Sequence, residues 1–176
     1  MPSCKKRKMK KSFPKIRLIA LSGVIAALYC TCSLVFAPIS YGMIQVRISE
    51  ALCVLPLFTP AAIPGLFVGC LLSNFFSPAG FIWADLVFGS LATLLSAMAT
   101  YWARRLPPKP ALWLAPLPAV VINAIAVPFI IKYGYGSDAG LLIIALTVLI
   151  GQCIACYGLG IPLTLALRRI GLDKRM

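Results

Sequence analysis

The chain has 176 residues, of which 61% are apolar and 12% are charged, and its mean hydropathy is +0.95. A soluble domain of this size cannot bury so much apolar surface, so the composition predicts an integral membrane protein. The net charge of +13 does not indicate a nucleic-acid-binding protein, because 15 of the 17 basic residues lie in three clusters, at the two ends and in a break near residue 107.

The position of these clusters predicts the topology. Cytoplasmic loops are enriched in Lys and Arg, so both termini and the break near residue 107 are expected in the cytoplasm. The tails 1–15 and 170–176 are then basic and cytoplasmic, and residues 16–169 form the membrane domain. At about 20 residues for each crossing, this domain has room for six helices. We therefore predict an all-α bundle of six transmembrane helices.

The apolar runs predict these helices in chain order, at about 16–37, 47–58, 61–75, 81–102, 112–131 and 139–167. The first run is too long for an ordinary signal peptide and more spans follow it, so it is expected to be retained. The dipeptide Thr59-Pro60 splits the long second run into two short helices. The Pro-rich stretch 106–110 is predicted to be extended, and Pro116, Pro118, Pro128 and Pro162 are predicted to bend the last two helices. No internal repeat is visible.

Six of the seven cysteines fall inside the apolar runs, where they are expected to pack as small apolar residues. Cys153 and Cys156 have CxxC spacing and would share a helix face, which leaves redox or metal chemistry as a minor alternative. The chain has no histidine. We expect no metal and no cofactor.

Two of the four acidic residues, Glu50 and Asp85, fall inside predicted helices near their outer ends, where a carboxylate tends to be paired or functional. Asp138 and Asp173 are expected to be solvated. Arg47 and Glu50 are spaced i, i+3 and are predicted to form an ion pair, which is either structural or part of a binding site. Four amides at membrane depth either pack helices or add to a polar pocket, and they are Gln45, Asn74, Asn123 and Gln152.

Small residues recur at helix-packing spacing. On the third helix Ala61, Gly65 and Gly69 are predicted to pack internally. On the first helix Gly23 with Ala27, and Ser22 with Ala26, present either an internal face or a face for a partner protein.

Catalytic signatures are missing from the sequence, including a phosphate-binding G-x-x-x-x-G-K-[ST] loop, a G-x-S-x-G motif and H-E-x-x-H. The chain is therefore not expected to be an enzyme. If it moves a solute uphill, the energy must come from an ion gradient or from another protein.

Residues 44–74, IQVRISEALCVLPLFTPAAIPGLFVGCLLSN, resemble the QueT family, the substrate-binding (S) components of energy-coupling factor (ECF) transporters for queuosine precursors. The blocks VRISEAL, DLVFGSLATLL and APLP carry the resemblance, which extends from about residue 16 to residue 169. It implies an S-component-like bundle in the cell membrane that docks onto a transmembrane coupling protein with two cytoplasmic ATPases. The small residues Ser22, Gly23, Ala26 and Ala27 would form the contact with that partner.

The resemblance also implies a 7-deazaguanine ligand, either the 7-cyano or the 7-aminomethyl precursor. One carboxylate accepts two adjacent N–H donors of a guanine edge, and an arginine or amide donates to its O6. Glu50 and Asp85 are the available carboxylates, Arg47 and Asn74 the available donors, and Asn123 a further amide, while Tyr41, Phe81 or Trp83 would stack on the ring. Two alternatives stay open: a vitamin-like heterocycle such as riboflavin or thiamine, and a membrane scaffold or small membrane enzyme without a transport role.

Overall fold

The computed structural model describes residues 15–40, 46–78, 80 and 82–171, and the regular structure of this part is helical throughout. The all-α fold class is confirmed. Residues 1–14 and 172–176 of the two predicted tails lie outside the described residues, as do Tyr41, Gln45 and Phe81. The helices are α1 (Lys15–Val35), α2 (Ala37–Ser40), a 3₁₀ helix (Ile48–Leu57), α3 (Ala62–Phe75), α4 (Asp85–Ala103), α5 (Pro108–Gly134) and α6 (Leu141–Arg169).

Four helices, α1, α4, α5 and α6, are long and apolar enough to cross a membrane. Their outward faces carry exposed aliphatic side chains such as Ile19 (71%) and Ile143 (62%), as expected where lipid is the solvent. The 3₁₀ helix and α3 have 10 and 14 residues, fewer than the roughly 20 that an α-helical crossing takes. The expectation of six crossings stays a prediction for these two elements.

The break predicted at Thr59-Pro60 is confirmed, since the 3₁₀ helix ends at Leu57 and α3 begins at Ala62. The Thr59 hydroxyl oxygen accepts the backbone N–H of Ala61 at 3.3 Å and so stabilises the turn between them. The chain therefore passes from a 3₁₀ helix to an α-helix across the four residues 58–61.

The expectation that residues 106–110 stay extended is wrong for their second half, because α5 begins at Pro108. Pro107 has the extended backbone angles φ −55° and ψ 152°. A proline in the first turn of a helix lacks only an N–H that has no partner there, so Pro108 and Pro110 are tolerated. The predicted start of this helix at about residue 112 was too late for that reason.

The two long C-terminal helices are irregular near their prolines. α5 is interrupted at residues 115–116, at Pro116, and winds as a π-helix over Ile130–Gly134, immediately after Pro128. α6 contains a π-helical segment, Ile154–Leu159, shortly before Pro162. Irregular winding thus occurs near Pro116, Pro128 and Pro162, since proline frees a backbone carbonyl that the helix accommodates by local rewinding. The bends themselves stay a prediction.

α1 and α3 pack closely through glycine. A Cβ atom at Gly65 would lie 2.8 Å from the carbonyl oxygen of Ser22, and one at Gly69 would lie 2.7 Å from the Cβ of Tyr29. The Ser22 hydroxyl also donates to the carbonyl oxygen of Ala61 at 2.8 Å. Internal packing of the small residues on α3, predicted from their spacing, is confirmed.

The 3₁₀ helix lies at the centre of the bundle and packs against α1, α4 and α6. Because it is short and surrounded, its polar residues Ser49 and Glu50 are buried together with apolar ones. The core around it consists of Ile25, Tyr29, Cys53, Ala62, Leu66, Cys70, Ala97, Ala119, Val120 and Cys156.

The glycine contact leads to a first prediction. Gly69→Ala should force α1 and α3 apart, because the added methyl group meets backbone atoms of Ala26 as well as Tyr29; overpacking of this kind costs about 1–3 kcal/mol. The midpoint of thermal unfolding in detergent should fall. Gly23→Ala is the matched control, since a Cβ atom there has no neighbour within 4 Å. An equal change in both variants would contradict the close approach.

Candidate functional site

A buried ion pair joins the start of the 3₁₀ helix to the start of α4. The Nη2 atom of Arg47 lies 3.2 Å from Oδ2 and 3.4 Å from Oδ1 of Asp85. Arg47 is 5% exposed and Asp85 is 3% exposed. The sequence predicted a pair between Arg47 and Glu50, three residues apart on one helix. The structure instead pairs Arg47 with a carboxylate 38 residues away, because Arg47 precedes the 3₁₀ helix in extended conformation.

Three neighbours fix the position of Asp85. The hydroxyl of Tyr135, from the loop after α5, donates to Oδ2 at 3.0 Å. The amide nitrogen of Asn74 donates to the backbone carbonyl oxygen of Asp85 at 2.9 Å. A Cβ atom at Gly89 would lie 2.7 Å from Oδ1 of Asp85, so glycine leaves the space that this carboxylate occupies.

Glu50 lies on the 3₁₀ helix in different surroundings. Its Oε1 atom accepts the hydroxyl of Tyr29 at 2.6 Å and its Oε2 atom accepts the thiol of Cys53 at 2.8 Å. The side chain is 1% exposed. In the part of the chain that the structure describes, no Lys or Arg forms an ion pair with it.

The two carboxylates belong to one polar interior. The backbone N–H of Glu50 donates to the carbonyl oxygen of Arg47 at 2.9 Å, so Glu50 and the arginine that pairs with Asp85 lie on one turn of the chain. On the other side, the Cys70 sulfur accepts the amide of Asn74 at 3.6 Å and the hydroxyl of Thr93 at 3.3 Å. Cys70 also packs in the same core as Tyr29, which binds Glu50.

Asn74 has an acceptor without a partner. Its Oδ1 atom is buried and accepts no hydrogen bond from the described residues, and the residue as a whole is only 2% exposed. A buried polar atom left in this state costs about 1–3 kcal/mol. The amide cannot simply be turned round, because its nitrogen donates to the Asp85 carbonyl oxygen. The atom is therefore positioned to accept a donor that the described part of the chain does not supply.

The predicted amide Asn123 is 3% exposed and lies on α5. Val127 packs with Ile144 and Val148, and this antiparallel register places Asn123 level with Gln152 on α6. The Gln152 carbonyl oxygen accepts the thiol of Cys156 at 3.4 Å, and that sulfur lies 3.7 Å from the backbone oxygen of Glu50. Cys156 thus links the Gln152 amide to the Glu50 backbone.

The ring-stacking role predicted for Tyr41, Phe81 or Trp83 is not tested by the described structure. Trp83 is 70% exposed just before α4, where an aromatic side chain fits a membrane interface. Tyr41 and Phe81 lie outside the described residues. The ring-stacking role of all three stays a prediction.

The four small residues proposed on α1 are divided between two faces. Ser22 and Ala26 face α3, as the hydrogen bond to Ala61 and the contact with Gly69 show. Gly23 and Ala27 are exposed on the outside of the bundle. A partner surface on α1 would therefore use Gly23 and Ala27.

The expectation that Cys153 and Cys156 share one helix face is corrected, because Cys153 is exposed while Cys156 is buried. Cys53 and Cys156 instead donate to oxygen atoms of Glu50 and Gln152. No group of three or more His, Cys, Asp or Glu side chains suited to a metal occurs among the described residues.

Two tyrosines of the site were missed in the sequence. Tyr29 could have been found, because Ser22, Ala26, Tyr29 and Ser33 form a stripe of small and polar residues at spacings of three and four on α1. All four face inward, and Ser33 donates to the hydroxyl of Ser49 at 2.7 Å. Tyr135 gave only a weak signal, an aromatic residue between Gly134 and Gly136 in a loop.

A multi-pass helical membrane protein that buries an ion pair and a second carboxylate has the features of a solute transporter, since charges at membrane depth mark pathways for substrates or ions. The model of the family described as "QueT transporter" matches residues 19–169. The chain therefore belongs to the QueT transporter family and is a multi-pass protein of the plasma membrane. The resemblance stated from the sequence is confirmed.

The chain is 39% identical over 89 residues to a protein of Lactococcus lactis subsp. cremoris described as "Queuosine precursor transporter QueT". The match covers 49% of this chain and 50% of that protein, so it spans about half the length of the curated relative. No solved structure matches the chain.

The buried ion pair leads to a second prediction, tested by a double-mutant cycle. Arg47→Gln and Asp85→Asn should each destabilise the protein by about 3–5 kcal/mol, because each leaves a buried charge without its counter-charge. The double variant should cost less than the sum of the two. Thermal unfolding in detergent measures all three, and Tyr135→Phe is the control, which loses one hydrogen bond worth about 0.5–1.5 kcal/mol. Strict additivity would show that the two charges are not coupled.

Proposed function

We propose that this chain is the substrate-binding subunit of an ECF-type importer and that it takes up a queuosine precursor, 7-cyano- or 7-aminomethyl-7-deazaguanine. Membership of the QueT transporter family and the described function of the Lactococcus relative support a small-molecule substrate of this kind. The observation that carries the proposal is the buried group of Arg47, Asp85 and Asn74, whose donors and acceptors match a guanine edge.

The guanine edge presents one acceptor, O6, beside the donors at N1 and N2. The Asp85 carboxylate is suited to accept N–H groups from N1 and N2, because an ionised carboxylate has about four acceptor positions. The Arg47 guanidinium beside it is suited to donate to O6. Asn74 Oδ1, buried without a partner, accepts the remaining N2 donor. Ligand binding would thus give the Asn74 Oδ1 atom the donor that the described residues do not supply.

In this proposal the chain crosses the membrane six times, with the 3₁₀ helix and α3 supplying the two short crossings and both termini in the cytoplasm. The basic clusters at residues 5–17, 104–109 and 168–175 support that orientation. Uptake is driven by ATP hydrolysis in two partner ATPases, joined through a transmembrane coupling protein. The lack of a phosphate-binding loop in this sequence supports an energy source in another protein.

The third prediction tests the ligand. Asp85→Asn should weaken binding of both 7-deazaguanines by about 10- to 100-fold, the effect of losing a charged hydrogen-bond acceptor. Calorimetric titration of the purified protein measures it, and the unfolding midpoint shows whether the variant is folded at the titration temperature. Asp138→Asn is the matched control, since Asp138 is exposed in the loop before α6.

The titration should include riboflavin and thiamine. Binding of one of these with no binding of a deazaguanine would keep the S component but replace its substrate. Unchanged deazaguanine affinity in the folded Asp85→Asn variant would contradict the assigned guanine contact.

The fourth prediction concerns the partner. Gly23→Leu combined with Ala27→Leu should abolish co-purification with the coupling protein and its ATPases while ligand binding persists, because both positions are exposed on α1. Ala166→Leu, at an exposed alanine on α6, controls for added bulk. If the wild-type protein co-purifies with no ATPase, the ECF assignment fails and the result favours the alternative of a membrane scaffold.

A further inference from the structure

Three charged side chains are buried in the described part of the chain: Arg47, Glu50 and Asp85. Their formal charges sum to −1. We propose that the site holds a ligand with one positive charge and that Glu50 binds its ammonium group. This inference rests on the proposed function and selects the 7-aminomethyl form over the 7-cyano form.

The argument begins with the cost of a net charge in an apolar interior. A buried charge is stable only when it is paired and hydrogen-bonded. Arg47 and Asp85 are within ion-pair distance, which leaves the carboxylate of Glu50 as the unmatched charge. Lys132, the other cation on the outer side of the membrane in the proposed topology, donates to the carbonyl oxygen of Ala139 at 3.1 Å in an exposed setting. A monocationic ligand would bring the interior to neutrality.

The hydrogen bonds of Glu50 indicate an acceptor. Tyr29 donates to one oxygen and Cys53 to the other, so both carboxylate oxygens act as acceptors. Each oxygen keeps a further lone pair for a ligand. An alkylammonium group has three donors and no acceptor, so it complements this carboxylate. A nitrile has only an acceptor nitrogen, which would meet the carboxylate oxygens with repulsion.

Asn74 supports a ligand that donates hydrogen bonds, through the guanine edge that both precursors share. Its Oδ1 atom is buried and unpartnered, and the bond from its nitrogen to the Asp85 carbonyl oxygen fixes that orientation. An acceptor beside Asp85 is thus open to a donor from the ligand. Both precursors offer N–H donors at the guanine edge and at N9, and only the aminomethyl precursor adds the donors of an ammonium group.

Calorimetric titration with 7-aminomethyl- and 7-cyano-7-deazaguanine tests the inference, because the two ligands share one ring system. The wild-type protein should bind the aminomethyl form about 10- to 100-fold more tightly, as expected for a charge-assisted contact. Glu50→Gln should remove most of that preference by weakening the aminomethyl form alone. Asp85→Asn should weaken both ligands by similar factors, and Asp138→Asn should affect neither.

The ratio of the two ligand affinities in the wild-type protein tests the cation inference even if Glu50→Gln fails to fold. Equal affinity for both ligands, or tighter binding of the cyano form, would overturn the cation inference and leave the proposed function standing. A folded Glu50→Gln variant that keeps the full preference would overturn the role of Glu50. If neither deazaguanine binds the wild-type protein, the proposed function itself fails, and that result differs from the other two.

Discussion

The structure is organised around an ion pair that has been removed from water. Bringing Arg47 and Asp85 into an apolar interior costs several kcal/mol for each ion, and the attraction between them offsets this only with good geometry and further hydrogen bonds. Tyr135, Asn74 and Gly89 supply those conditions, two by donating hydrogen bonds and one by leaving room. The pair consequently ties together the start of the 3₁₀ helix, α3, α4 and the loop after α5.

Helix packing and the polar interior depend on each other through Tyr29. Gly69 lets α1 approach α3 until the Tyr29 Cβ occupies the space of a missing side chain. At that separation the Tyr29 hydroxyl reaches Glu50 at 2.6 Å. A bulkier residue on α3 would therefore displace a hydrogen-bond donor of the site, so the glycine spacing contributes to both stability and ligand-binding geometry.

The sequence was sufficient for properties that depend on averages over many residues. Apolar runs located the long helices, the break at Thr59-Pro60 was found, and the scarcity of acidic residues singled out Glu50 and Asp85. It was insufficient for partner choice, because spacing shows which residues are near along one helix but not which distant element packs against it. Arg47 thus binds Asp85, and Glu50 binds Tyr29, across separations of 38 and 21 residues.

The conformation of the central 3₁₀ segment could not be predicted from the sequence either. Residues 47–58 read as an α-helix by composition, yet Ile48–Leu57 winds as a 3₁₀ helix, a form uncommon beyond three or four residues. Its packing against three neighbouring helices stabilises a geometry that local preference does not favour. Likewise, the spacing of the small residues of α1 did not by itself show which pair faces inward, because neighbouring positions differ by only about 100° around the axis; the polar residues Tyr29 and Ser33 in line with Ser22 and Ala26 were the signal that was missed.

The winding of this segment also restricts how homologous sequences can vary in length. With about three residues per turn, each residue inserted or deleted between Glu50 and Leu57 would rotate the carboxylate by roughly 120° relative to the downstream helix. It would then point at an apolar wall rather than at Tyr29. Gaps in an alignment should therefore avoid this stretch, while the partly exposed Leu52 and Leu55 tolerate exchange for other aliphatic residues.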